Sequence, residues 1–289
     1  MSNCDSCNDK TCSAKNKNKE ESMQEFLERQ ELAARMCAIK HKILVLSGKG
    51  GVGKSTVAAN FAIALSKQGA KTGLLDVDIH GPSVPTIFGL QKSALIQGST
   101  PNSIMPLDIT ENLSAMSVGF LLENPDDALI WRGPMKIGVI KQFLKDVQWG
   151  DLDYLIADLP PGTGDEPLSI CQMIENIDGA VIVTTPQEMA LADVRKSINF
   201  CKKLNVPIIG VLENMSFFEC PDCGKKSEIF NNSGTENMCK KMNVPFLGKI
   251  PITMDISYNA ENSAFLSEKS KASKYFDEFI CKISKFCNS

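Results

Sequence analysis

The chain has 289 residues, of which 43% are apolar and 22% charged, with a formal net charge of −3. A chain of this length buries enough surface to fold without a disulfide framework, and a pI of about 5.6 argues against a general binder of nucleic-acid phosphates. No run of about 18 apolar residues occurs and the N-terminus has no apolar secretory core, so a cytoplasmic chain without stable membrane association is expected.

In chain order, residues 1–21 are polar, rich in Asn, Lys, Ser and Cys, and read as a tail. Ser22-Met23-Gln24-Glu25 has capping-box spacing, and Phe26, Leu27, Ala33 and Met36 give the following helix an apolar face. Residues 1–41 thus form an N-terminal extension and 42–289 the body. In the body, the spacing predicts strands at Ile43–Ser47, Thr72–Asp76, Tyr154–Asp158, Gly179–Thr184, Pro207–Leu212 and Phe246–Ile250. Helices are predicted at Ser55–Lys67, Pro134–Val147, Ala190–Leu204 and near Ser270–Phe286. Apolar strands alternating with helices indicate an α/β fold with a mostly parallel central sheet and helices on both faces.

Gly48-Lys49-Gly50-Gly51-Val52-Gly53-Lys54-Ser55, followed by Thr56, fits G-x-x-x-x-G-K-[ST] between a strand and a helix. Glycines let the backbone N–H groups close on phosphate oxygens, and the helix N-terminus adds positive partial charge. Lys54 is expected to neutralise the β- and γ-phosphates of ATP, and Ser55 to ligate Mg²⁺. Asp158 ends a buried strand in the Walker B manner and is expected to hold the same ion. Leu159-Pro160-Pro161-Gly162-Thr163-Gly164-Asp165 has the glycines of a γ-phosphate-sensing loop. In Asp76-Val77-Asp78-Ile79-His80-Gly81, Asp78 is assigned to orienting the attacking water, and Asp76 to capping or buttressing. His80 reads as a solvated or simply hydrogen-bonded loop residue.

Eleven cysteines without an export signal are expected as thiols, with Cys171 and Cys201 as small core residues. Cys220-Pro221-Asp222-Cys223-Gly224 places two thiols in one tight turn. Two ligands are half of what a tetrahedral zinc or a four-iron cluster takes, and a two-fold dimer would supply four. A bridging iron–sulfur cluster, a zinc knuckle and a redox dithiol all fit that spacing, with zinc slightly favoured by Cys-Pro-x-Cys-Gly. Cys4, Cys7 and Cys12 are three closely spaced thiols that form a second candidate metal site, incomplete by one ligand.

The second lysine of the phosphate loop, Lys49, makes the motif resemble the deviant Walker A of MinD/ParA-like P-loop NTPases. Joined in order by Asp-Val-Asp-x-x-Gly-Pro-Ser, Asp-Leu-Pro-Pro-Gly-Thr-Gly-Asp, Glu-Asn-Met-Ser and C-x-x-C, the chain resembles Mrp/ApbC-type iron–sulfur cluster carrier ATPases from about Lys42 to Ser267. The resemblance implies a homodimer that hydrolyses ATP slowly, as a switch. It implies that Lys49 reaches the nucleotide of the second subunit, and that Asn214 reads adenine beside Pro251. It further implies a [4Fe–4S] cluster held by Cys220 and Cys223 of both subunits and passed to apoproteins. Trp131-Arg132 is family-like without a derivable task. Two other readings are a MinD/ParA-like positioning ATPase and an ATPase with a purely structural zinc. The first needs a membrane seat, for which the amphipathic C-terminal helix is the candidate, although packing on the sheet is the commoner use of such a face.

Overall fold

The structure, a computed structural model, describes residues 17, 21–90, 96–98, 103–122, 133–220, 222–230, 234–253 and 273–287. The candidate residues Cys4, Cys7, Cys12, Trp131 and Arg132 lie outside them.

Helix α1 (Met23–Cys37) starts at the expected capping box: the Ser22 hydroxyl accepts from the Glu25 N–H, and the Glu25 carboxylate accepts from the Ser22 N–H. Its buried Leu32, Ala33 and Met36 dock the helix on the body. Next come β1 (Ile39–Ser47), α2 (Lys54–Lys67), β2 (Thr72–Asp76) and the single turn α3 (Val84–Ile87). A small hairpin, β3 (Ile96–Gln97) with β4 (Ile104–Met105), precedes β5 (Leu107–Thr110) and β6 (Leu113–Ser117). The remainder alternates: α4 (Gly133–Asp146), β7 (Leu152–Asp158), α5 (Asp165–Met173), β8 (Gly179–Thr184), α6 (Glu188–Lys203) and β9 (Ile208–Glu213). A second hairpin, β10 (Phe218–Glu219) with β11 (Lys226–Ser227), leads to α7 (Thr235–Met242), β12 (Phe246–Lys249) and α8 (Ser273–Cys287).

The central sheet has the order β12-β9-β8-β1-β7-β2-β6-β5. Every pairing in it is parallel except β5 with β6. Strand periodicity sorts the core into two layers. Leu44 and Leu46 of β1 face the layer of α1, α4, α5 and α6, whereas Ile43 and Val45 face the layer of α2 and α8. Helix α2 is covered around most of its circumference, with Val57 to Ser66 all buried, because α8 lies over it. Phe276, Phe279, Ile280 and Ile283 of α8 are buried there, and Phe276 meets Phe61 edge to face with ring centroids 6.0 Å apart. The amphipathic face considered above for a membrane is therefore spent on packing. Among the described residues no helix is long and apolar enough to cross a membrane.

Parallel pairing brings the C-terminal ends of β1, β2, β7, β8 and β9 to one edge. Open α/β sheets bind their ligands at that edge. Ser47, Asp76, Asp158, Thr184 and Glu213 end these strands there, and the register pairs Asp76 with Asp158 directly.

Candidate functional site

The loop Gly48–Gly53 leaves β1 and wraps onto the N-terminus of α2. Gly51 and Gly53 both have φ of +77°, which only glycine adopts without strain. A Cβ at Gly53 would stand 2.3 Å from the Asn214 amide nitrogen, so that position is closed to larger residues by contact as well. The loop borders a cleft of about 550 Å³, in the usual range for a small-molecule site. Lys49, Lys54, Ser55, Thr56, Asp78 and Pro161 are among its walls.

Lys54 is 94% buried and donates to Asp158 Oδ1 at 2.5 Å; its Nζ lies 3.9 Å from Asp78 Oδ2 and 3.4 Å from Ser55 Oγ. Burial raises the carboxyl pKa of Asp158, and the Lys54 charge opposes that rise. Asp158 Oδ2 is buried without a hydrogen-bond partner. An orphaned carboxylate oxygen beside a serine hydroxyl is a donor set that suits a hard divalent cation.

Asp76 is fully buried. It accepts from the Asp78 and Val84 N–H groups at 3.1 Å each and from the Ser117 hydroxyl at 2.9 Å, so it ties β2 to β6 and to the loop behind Asp78. Burial, reinforced by the Asp158 charge, pushes its pKa up to about 7. This is the buttressing option of the two read from the sequence.

The glycine-containing loop after β7, expected from the sequence to sense the γ-phosphate, closes over β1: the Leu159 N–H donates to the Val45 carbonyl and the Gly162 N–H to the Ser47 carbonyl. Beyond it, Lys136 of α4 donates to His80 Nε2 at 2.6 Å and to Glu166 Oε1 at 2.9 Å. His80 is thus the hydrogen-bonded residue expected, with partners that only the fold brings near. Lys49 Nζ donates to Gln187 Oε1 at 3.0 Å. Gln187 was not singled out in the sequence. Its place two residues past the Thr184-Thr185 strand end was the available signal.

Asn214 is buried, its Nδ2 donating to the Val52 carbonyl at 2.9 Å. It supports the phosphate loop from behind and, like the buried Pro251, is not among the residues lining the cleft. Cys220 and Cys223 sit at the tip of the β10–β11 hairpin, which the Cys220 N–H closes onto the Lys225 carbonyl at 3.0 Å. Gly224, at φ +69°, makes the turn. The N–H groups of Cys223 and Asp222 point at the Cys220 sulfur and hold its thiol below the usual pKa. Cys223 is exposed and Cys220 half-buried. By contrast Cys201 lies in the core, where burial pushes its thiol up to about 12, and Cys171 packs at the core edge with a thiol near 11.

Residues 38–284 match the NUBPL iron-transfer P-loop NTPase family. The iron-sulfur cluster carrier protein of Methanocaldococcus jannaschii is 48% identical over 254 residues, which is 87% of this chain and 86% of that protein. A nucleotide-binding protein from Archaeoglobus fulgidus, solved in complex with ADP and with cobalt found, superposes with a TM-score of 0.74 at 37% identity, covering 85% of this chain and 95% of that one. The cell division ATPase MinD of Pyrococcus furiosus shares the fold, with a TM-score of 0.58 at 22% identity over 85% of this chain and 99% of that one. The phosphate loop on a mostly parallel sheet agrees with these matches, and the chain belongs to the NUBPL iron-transfer P-loop NTPase family.

Proposed function

We propose that this chain is an ATP-hydrolysing iron–sulfur cluster carrier. As a homodimer it holds a [4Fe–4S] cluster between Cys220 and Cys223 of both copies and delivers it to apoproteins. The observation that carries the reading is the hairpin tip: two accessible sulfurs, one with backbone N–H groups aimed at it. Such N–H groups stabilise thiolate, the form that ligates metal.

In this reading ATP lies in the cleft beside the phosphate loop. Lys54 turns from Asp158 toward the β- and γ-phosphates. Mg²⁺, which supplies charge neutralisation at the phosphates when bound, would be held by Ser55 and Asp158. Asp78, on the loop fixed by Asp76, orients the attacking water. Lys49 exchanges Gln187 for the nucleotide of the partner subunit. Asn214 holds the loop through its amide nitrogen, so the adenine-reading role that the family resemblance implies for it, beside Pro251, falls to Oδ1 and lies outside the cleft walls that take the phosphates. Nucleotide state acts on cluster release only through unequal cluster affinity of the two dimer geometries, so slow, switch-like hydrolysis suits the task.

The test is iron and acid-labile sulfide analysis of anaerobically reconstituted protein. The parent chain is expected to hold about four of each per dimer. The double variant Cys220→Ala/Cys223→Ala is expected to lose both and still bind ATP. Zinc in place of iron and sulfide would support a structural metal instead, and undiminished iron in the double variant would refute the assignment of these cysteines.

A further inference from the structure

Only five residues separate Asn214 from Cys220, and each step of that segment is tied down. Asn214 is wedged under the phosphate loop, with its amide nitrogen 2.9 Å from the Val52 carbonyl and its backbone N–H 2.7 Å from the Thr184 carbonyl. Met215 has φ of +55°, a left-handed conformation that a large side chain rarely adopts. Such outliers persist where the surroundings over-determine them, and they gather at functional segments. Ser216 donates its N–H to Ile250 and its hydroxyl to the Glu213 carbonyl and carboxylate, at 2.8 Å and 2.9 Å. The Phe217 carbonyl accepts from Ile252 at 2.7 Å, and Phe218 bridges to Ile252 and pairs with Ser227. Glu219 accepts from the Tyr275 hydroxyl at 2.7 Å, while the Tyr275 ring packs on Phe217 with centroids 6.5 Å apart. Tyr275 belongs to α8, which itself packs on α2, the helix that begins at Lys54.

We infer that residues 214–219 are a taut link through which occupancy of the phosphate loop sets the pose of the Cys220–Cys223 turn. Asn214 is the positioning residue at the loop end and Tyr275 the anchor at the hairpin end. The inference rests on the nucleotide-coupled carrier reading and adds to it the element that carries the coupling. The Val52 carbonyl belongs to the loop that phosphate would fill, so any shift of that loop on binding is a shift of this carbonyl. Asn214 cannot stay in place when that carbonyl moves, because its amide fills the space against Gly53. With Ser216, Phe217 and Glu219 all paired, the segment has little slack to absorb the shift before Cys220.

The test is the alkylation rate of Cys220 by N-ethylmaleimide, followed by peptide mass spectrometry of the full chain with and without saturating Mg-ADP. ADP fills the phosphate loop without requiring closure of a second subunit. In the parent chain the two rates are expected to differ at least about five-fold, the low end of ordinary coupling between sites. In Asn214→Ala, at Mg-ADP concentrations shown by calorimetry to saturate it, the ratio is expected to fall toward one. Tyr275→Phe keeps the ring and loses only the bond to Glu219, and is expected to at least halve the ratio. If Asn214→Ala fails to fold or to bind, Tyr275→Phe alone decides. A parental ratio retained in the variants overturns the link and leaves the carrier reading standing. A parent chain that binds ADP and shows no rate difference overturns the link together with nucleotide coupling, while iron and sulfide retention still reports separately on carrying.

Discussion

Lys54 is held between carboxylates, and that geometry separates its role from that of Lys49. Lys54→Ala removes the charge facing the phosphates and leaves Asp158 buried without its partner, so nucleotide affinity measured by calorimetry is expected to fall by about 100-fold or more. Lys49 is half-buried, and its ammonium donates to Gln187. Lys49→Ala is expected to bind nucleotide within a few-fold of the parent and to hydrolyse it at least about 100-fold more slowly, as when a charge supplied across an interface is lost. Asp76 gives a pH signature. Its native pKa of about 7 lies above the ordinary carboxyl value of 3.8, so the folded state binds the extra proton. The associated stability is full below about pH 4 and is lost as pH rises through about 7, with a slope of at most about 1.4 kcal/mol per pH unit. Urea titrations of the nucleotide-free protein between pH 4 and 8 are expected to show this decline, and Asp76→Asn to flatten it at some cost in absolute stability. Lys54 and Asp158 were legible in the sequence because phosphate chemistry fixes their spacing from glycine and strand end. The burial of Asp76 was not legible, because Ser117, which completes its hydrogen bonds, arrives through the pairing of β2 with β6.

Among the elements, the junction of the phosphate loop with α2 is the least tolerant of change. Gly53→Ala adds a Cβ 2.3 Å from the Asn214 amide at a φ of +77°. A loss of about 2 kcal/mol or more is expected, together with weaker nucleotide binding. Gly50→Ala, where the added carbon meets open space, is expected to change stability by less than about 0.5 kcal/mol. Phe276, 1% exposed between Phe61 and Phe279, carries the docking of α8, and Phe276→Ala is expected to cost about 3–5 kcal/mol in chemical denaturation. The buried strands read correctly because they are apolar runs too short for helices. Helices α5 and α7 escaped because nine and eight residues are too few for a period to show above turn chemistry, and strands β5 and β6 because Asp108, Thr110, Ser114 and Ser117 interrupt their apolar residues. The first four residues of β1 were also missed: Ile39-Lys40-His41-Lys42 looks polar, yet Lys42 is buried with its Nζ on the carbonyls of Met36 in α1 and Ile39 at the start of β1.

At the scale of the whole molecule, one sheet edge gathers the nucleotide residues, and the strand beside them runs on into the cysteine hairpin. The alternation of strands and helices made the layered architecture legible. The closeness of loop and cysteines was hidden, because it depends on β9 lying next but one to β1 across β8. In the proposed reading the hairpin supplies two of the four ligands that a four-iron cluster takes, so carrying at the hairpin and dimerisation stand or fall together. Native mass spectrometry of the anaerobically reconstituted chain reads both at once. A dimer bearing one four-iron, four-sulfide cluster, lost in Cys220→Ala/Cys223→Ala, is the expected result. Monomers only, or dimers whose metal survives that substitution, would contradict the account.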